Sequence, residues 1–122
     1  CPVAIEGQYP TRDGAWLIDS WEEYRMLLES GVPYALDLSH IKILAHRTRR
    51  LERSLLQDLL QSPQCIEIHV SDNDGLHDSH AMCAQPAPWW IEFLAYANEH
   101  AVIFSEGNQR AVQRLAAGAA RF

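Results

Sequence analysis

Four residues able to bind a metal stand at the ends of four short apolar runs: Glu6 after Val3-Ala4-Ile5, Asp37 after Tyr34-Ala35-Leu36, His69 after Ile66-Glu67-Ile68, and Glu106 after Phe104-Ser105. Side chains alternate faces along a strand, so residues two apart share a side. Glu6 therefore lies with Ala4, Asp37 with Ala35, His69 with Cys65 and Glu67, and Glu106 with Val102 and Phe104. Carboxylate oxygen and imidazole nitrogen together, with no thiolate among them, suit Mn, Fe, Co or Zn rather than a structural zinc site. Three more residues of the same types lie just beyond: His40, after Asp37-Leu38-Ser39, and the pair Asp78 and His80 in one polar stretch. Taken singly, a strand-end carboxylate is more often a cap or salt-bridge partner, and a lone histidine a hydrogen-bonding residue. Independent strands ending the same way make a stronger case than any one of them. His46, His77 and His100 have no matching partner and read as surface residues. Glu67, on the His69 side, needs a partner, because an unpaired charge inside a fold is costly.

The elements that must position these residues alternate along the chain. Val3–Glu6, Tyr34–Leu38, Cys65–Val70 and Ala101–Ser105 read as strands. The capping box Ser20-Trp21-Glu22-Glu23 opens a helix that runs to about Ser30, where Gly31 and Pro33 stop it. Leu51, Leu55, Leu56, Leu59 and Leu60 at helical spacing predict a helix over Thr48–Leu60, ended by Ser62-Pro63. A polar loop spans Ser71 to about Pro86, Pro88 suits the first turn of a helix reaching about Glu99, and Asn108 caps a last helix to Ala117. Strand–helix–strand alternation at about 30 residues per unit implies parallel strands with crossover helices, an α/β fold whose active site lies at the carboxyl ends of the strands. A complete (β/α)8 TIM barrel takes roughly 250 residues, so the single domain 1–122 matches half of one. The alternative is a small open sheet with helices on both sides, although no glycine-rich phosphate loop follows any strand.

Composition narrows the classes further. The chain is 48% hydrophobic and 21% charged, as expected of a globular domain. Sixteen acidic residues against ten basic ones give a formal charge of -6, which argues against nucleic acid as the main partner. No apolar run approaches the ~20 residues that span a bilayer, so no membrane segment is expected. Cys1, Cys65 and Cys83 sit at unrelated spacings with no CxxC pair, and no basic-then-apolar leader opens the sequence. Reduced thiols in a cytoplasmic protein are the expectation. The start on Cys1, running straight into strand-like sequence, reads as a fragment or a processed product.

The segment Ile68-His69-Val70-Ser71-Asp72-Asn73-Asp74-Gly75, followed by Asp78-Ser79-His80, resembles the seventh-strand signature of xylose isomerase-like TIM barrels. That superfamily includes sugar-phosphate isomerases and epimerases, hydroxypyruvate isomerases and endonuclease IV repair enzymes. Val3-Ala4-Ile5-Glu6 resembles the strand whose glutamate bridges metals, Leu36-Asp37-Leu38-Ser39-His40 the Asp-x-x-His strand, and Phe104-Ser105-Glu106 the last strand. The resemblance implies strands five to eight of the barrel, with Glu6, Asp37, His69 and Glu106 as shared ligands of a divalent metal (Mn, Co, Mg, Zn or Fe). It also implies an isomerase or epimerase in which Glu6 and Glu106 are catalytic and move a proton beside the carbonyl of a sugar or sugar phosphate. His40 contacts substrate in those enzymes. In the multinuclear branches His40, Asp78 and His80 hold an additional metal, as in endonuclease IV and in the non-haem iron enzymes that oxidise peptides. The Gly-x-Gly that commonly follows the Asp-x-His is replaced here by Ala81-Met82-Cys83-Ala84. The first four strands are absent too, so the missing half-barrel is expected from the same protein or from a second chain. A non-catalytic barrel piece is the reading from a different class. Trp89, Trp90 and Phe93 are expected to cover the barrel exterior, with an aromatic lid as the alternative.

Overall fold

The computed structural model describes residues 3–82 and 88–106 of the chain. The expected helix from Asn108 to Ala117, and the cysteines Cys1 and Cys83, lie outside them. Four parallel strands form one sheet in the order of the sequence: β1 (Ile5–Glu6), β2 (Tyr34–Asp37), β3 (Cys65–Val70) and β4 (Val102–Ser105). Glu6 pairs in register with Ala35, Asp37 with His69, and His69 with Phe104. One register shift, between Tyr34 and Ala35, separates the start of β2 from the rest of its pairing with β3.

Alternation sorts the strands as expected except at the start of β3, where the register shift turns Cys65, expected on the His69 side, into the core. Tyr34, Leu36, Ile68 and Val70 enter the apolar core, whereas Asp37, Glu67 and His69 stand on the opposite side. Helix α1 (Trp21–Ser30) starts where the capping box predicts, with the Glu23 N–H donating to Ser20 Oγ and Gly31 closing it at φ 72. Glu23 reaches further back than the usual motif: its carboxylate accepts from the Ile18 N–H at 3.1 Å as well as from the Ser20 hydroxyl. The helix buries Trp21, Tyr24 and Leu27. Tyr24 then ties down the loop after β1 by donating from its hydroxyl to the Gln8 carbonyl at 2.8 Å.

Between β2 and β3 the chain departs from the single helix over Thr48–Leu60. Two helices occupy the interval, α2 (Leu38–Thr48) and α3 (Arg53–Gln61). Asp37 caps α2, and Leu38, Ile41 and Leu44 are its buried stripe. Arg49 breaks it at φ 55, in the left-handed region, with the Arg49 and Arg50 N–H groups donating to His46 and Ala45 carbonyls. The leucine spacing that predicted a helix belongs to α3, where Leu55, Leu56, Leu59 and Leu60 are buried.

The helix expected from Pro88 to Glu99 is a single turn, α4 (Ile91–Leu94). Asn98 ends the segment against the core: its side-chain amide donates to the Ser62 and Cys65 carbonyls at 2.8 Å each. Phe93 is fully buried with Trp89 and Trp90 packed beside it, so these aromatics cover the core rather than the polar cluster. Among the described residues, no helix is long and apolar enough to cross a membrane.

Candidate metal centre

The carboxyl ends of the strands bring all seven expected site residues together. Glu6 and Asp37 end β1 and β2, His69 is next to last in β3, and Glu106 follows β4 with its N–H donating to the Val70 carbonyl. Glu6, Asp37, His40, Asp78, His80 and Glu106 line a cavity of about 290 Å³, together with Gln8, Tyr9 and Trp16. His69 lies against the same carboxylates, its Nδ1 being 3.5 Å from Glu6 and 3.3 Å from Glu106.

Asp37 does two jobs with its two oxygens. Oδ1 accepts from the Ser39 N–H at 2.8 Å and from the Ser39 hydroxyl at 2.6 Å, which starts α2. Oδ2 is buried and has no hydrogen bond, with His40 Nε2 3.4 Å away. One turn of helix carries His40 to this position. Its Nδ1 lies 2.9 Å from the Gly7 carbonyl, which only accepts, so Nδ1 carries the hydrogen and Nε2 is turned to Asp37 and Asp78. A backbone carbonyl on one imidazole nitrogen is the arrangement that orients the other toward a metal.

Gly7 is there because nothing larger fits. A Cβ at that position would stand 2.3 Å from Tyr24 Cε1. The same close approach that fixes the loop after β1 thus delivers the carbonyl that orients His40.

His69 repeats the device with a side chain. Its Nε2 is 3.2 Å from Glu67 Oε2, and its Nδ1 is buried without a hydrogen-bond partner. Glu67, which the sequence leaves without a partner, therefore holds the imidazole. Without a metal, the Glu6 carboxylate, with Glu67 and Glu106 beside it, lifts His69 to about 9 against the opposing effect of burial. Glu6 is lowered in turn, chiefly by His69. For His40, burial works against the charged form, but Asp37, the Gly7 carbonyl and Asp78 together raise it.

The loop after β3 supplies the remaining two groups. Paired backbone bonds between Asp72 and Ala81 close it, and Lys42 anchors it through Asp72 and the Asn73 carbonyl. Asn73 donates to the Ser39 carbonyl at 2.9 Å, so the loop is tied to the start of α2. Asp78 Oδ2 then sits between His40 Nε2 at 3.1 Å and His80 Nε2 at 3.3 Å, while His80 Nδ1 is 3.4 Å from Glu106. His80 itself takes a left-handed backbone at φ 47.

Among the described residues, two sets of potential ligands each have their ligand atoms within 4.8 Å of one another: Glu6, Asp37 and His40, and Asp37, His69 and Glu106. Asp37 belongs to both. Among the described residues, the other buried polar atoms without partners are Ser71 Oγ and the Trp89 and Trp90 indole nitrogens, and Ser71 and Trp90 line a separate pocket. His46, His77 and His100 are exposed, as expected. Cys65 is buried away from solvent, which pushes its thiol up to about 12 and leaves it unreactive at neutral pH. The sequence reading missed Ser39, Gly7, Lys42 and Asn73 as positioning residues, and Tyr9, whose ring stands 4.9 Å from that of His40.

Comparison with protein-family models, with curated proteins and with solved structures finds no match to this chain. The class is defined by fold and site: a parallel α/β sheet with an acid–imidazole cluster at the carboxyl ends of its strands.

Proposed function

We propose that the cluster is a divalent-metal centre, and that the chain is strands five to eight of a xylose isomerase-like barrel acting on a small sugar or sugar phosphate. The observation that carries this reading is the pair of buried atoms left without hydrogen bonds, Asp37 Oδ2 and His69 Nδ1, within one group of potential ligands that includes Glu106. Leaving Asp37 Oδ2 unsatisfied costs about 1–3 kcal/mol, and a cation would satisfy it while replacing the proton that His69 Nδ1 presents to the Glu6 and Glu106 carboxylates. The imidazoles support it as well, since each has its second nitrogen held by an acceptor, Glu67 or the Gly7 carbonyl.

Glu6, Asp37, His69 and Glu106 would hold the ion. When bound, it supplies Lewis acidity toward the carbonyl and hydroxyl oxygens of the substrate. Glu6 and Glu106, about one-third exposed, would each hold the ion through one oxygen and take and return a proton at the carbon beside the carbonyl through the other. Tyr9 and Trp16 give the cavity an aromatic wall for the apolar face of a sugar. Among the described residues nothing pairs with the outer edge of β1 or β4, and Ile5 on β1 and all four residues of β4 are exposed. Open edges of this kind favour a second half-barrel from the same protein or from another chain.

A second reading, a multinuclear iron oxidase acting on a peptide, is favoured by the two overlapping ligand sets that share Asp37. Elemental mass spectrometry on anaerobically purified protein separates the readings. One manganese, cobalt or magnesium per chain supports the isomerase. More than one iron per chain, with one lost on His80→Ala, supports the oxidase. Protein that takes up no divalent metal leaves the non-catalytic barrel piece as the better account.

A further inference from the structure

Among the described residues, Arg25, Lys42, Arg50 and Arg53 each pair with a carboxylate. Arg12, Arg47 and Arg49 do not, and all three line one cavity of about 550 Å³ together with His46, Leu76 and His77. Three exposed positive groups thus gather without a carboxylate partner on a chain whose formal charge is -6, with Arg47 donating to the Leu76 carbonyl at 3.5 Å. Compensation of a helix dipole accounts for cations in the last turn of α2, where His46 and Arg47 stand. It does not account for Arg12, which arrives from the loop after β1. Arg49 also occupies a backbone position, φ 55, where glycine is the usual residue, so its side chain is present at a conformational cost. Asp74 at the edge of the cavity is already engaged, by the His77 ring at 2.9 Å and by the Leu76 and His77 N–H groups.

The cavity is built from the same segments as the metal centre. Its walls are the loop after β1, the end of α2 and the loop after β3, and the same three segments supply Tyr9, His40 and Asp78 to the acidic cavity. His40 and Arg47 are two turns apart on α2, a rise of about 10 Å along one face. Tyr9, three residues before Arg12 on the loop after β1, stands with its ring 4.9 Å from that of His40. Guanidinium forks match phosphate and carboxylate oxygens, and three of them suit a doubly charged group.

We propose that this cavity is a second subsite of the same active site, holding an oxyanion at the end of the substrate away from the metal. The proposal rests on the metal-centre reading for its link to the substrate. The subsite itself is independent of it. The substrate is then an anion at its far end, and the arginines set both its orientation and its reach.

The test uses metal-free protein, so that anions cannot bind through the ion, titrated calorimetrically at low ionic strength with inorganic phosphate and, separately, with malonate. Saturable binding is expected, weakened tenfold or more by Arg47→Gln or Arg12→Gln and unchanged in Arg25→Gln, whose partner Glu52 lies elsewhere. Tighter phosphate than malonate identifies a phosphate, and the reverse a carboxylate. Circular dichroism of each variant confirms the fold. No saturable binding of either anion at millimolar concentration overturns the proposal, as does equal weakening in Arg25→Gln. Metal content of Arg47→Gln is measured alongside and is expected to be unchanged. Metal without anion binding removes this subsite and leaves the centre standing; anion binding without metal does the opposite.

Discussion

Asp37 and His69 are register partners on adjacent parallel strands, and each buries one polar atom that no hydrogen bond satisfies. Their remaining polar atoms are fully employed, Asp37 Oδ1 by Ser39 and His69 Nε2 by Glu67. Both side chains are therefore held rigidly with one atom to spare, which is how a site is preorganised for a ligand absent from the sequence itself.

Replacing Asp37 separates its two oxygens. Asp37→Asn keeps an oxygen for Ser39 and removes the charge at Oδ2, so metal content should fall sharply while metal-free stability changes little. Asp37→Ala loses the cap of α2 as well and should cost a further 0.5–2 kcal/mol, about the usual worth of a helix cap. Elemental analysis and thermal unfolding of both variants check this. Equal metal content in Asp37→Asn and the parent protein would contradict it.

Glu6→Gln and Glu106→Gln should each lower turnover by about 10²–10⁴-fold, the usual contribution of a positioned acid or base. Both side chains are part-exposed, so the fold should survive. Wash-in of deuterium from solvent at the carbon beside the carbonyl, followed across a panel of aldoses, ketoses and their phosphates, is the readout. Undiminished exchange in either variant removes that residue from the reaction.

Gly7→Ala probes the route from the α1 side of the fold to the centre. The added methyl meets the Tyr24 ring, and overpacking of this kind costs about 1–3 kcal/mol. Any relief moves the Gly7 carbonyl that orients His40, so metal affinity should fall with stability. A variant that loses stability at unchanged metal affinity would show that the carbonyl is not what directs His40.

Metal-free protein should change stability with pH in a direction set by His69 and Glu6. His69 is raised from its ordinary 6.5 to about 9, so its contribution is whole below 6.5 and is lost as pH rises through 9. Glu6 is lowered from 4.5, so its contribution is present above 4.5 and is lost as pH falls through the lowered value. Stability of the metal-free protein should be greatest between these ordinary values and decline toward pH 9. Metal takes the place of the His69 proton, so its affinity should rise over the same interval. Thermal unfolding with and without metal, at a series of pH values, measures both slopes.

The strand ends were legible because alternation is a local property: Ala35 with Asp37, and Glu67 with His69, share a face whatever else the chain does. Glu67 shows how near the reading came, since its partner is two residues away on the same side. Helix α2 was missed because Tyr34-Ala35-Leu36-Asp37-Leu38 continues an extended pattern, and the Leu38, Ile41 and Leu44 stripe begins inside it. No glycine marks the break at Arg49, so the leucines of α3 seemed to start at Thr48. Contacts that depend on distant packing had no local signal. Neither the Tyr24 ring over Gly7 nor the Asn98 amide that stops the chain after α4 could be read from neighbours in sequence.

The sheet runs β1-β2-β3-β4 in the order of synthesis, so each strand emerging from a ribosome finds its neighbour already made. The ligand sets mature on different schedules in consequence. Glu6, Asp37 and His40 can meet once α2 has formed, whereas Asp37, His69 and Glu106 wait for the chain to pass β4. A nascent chain stalled before Glu106 holds the first trio alone, so if the cluster binds metal as proposed, that half would have the earlier claim on it.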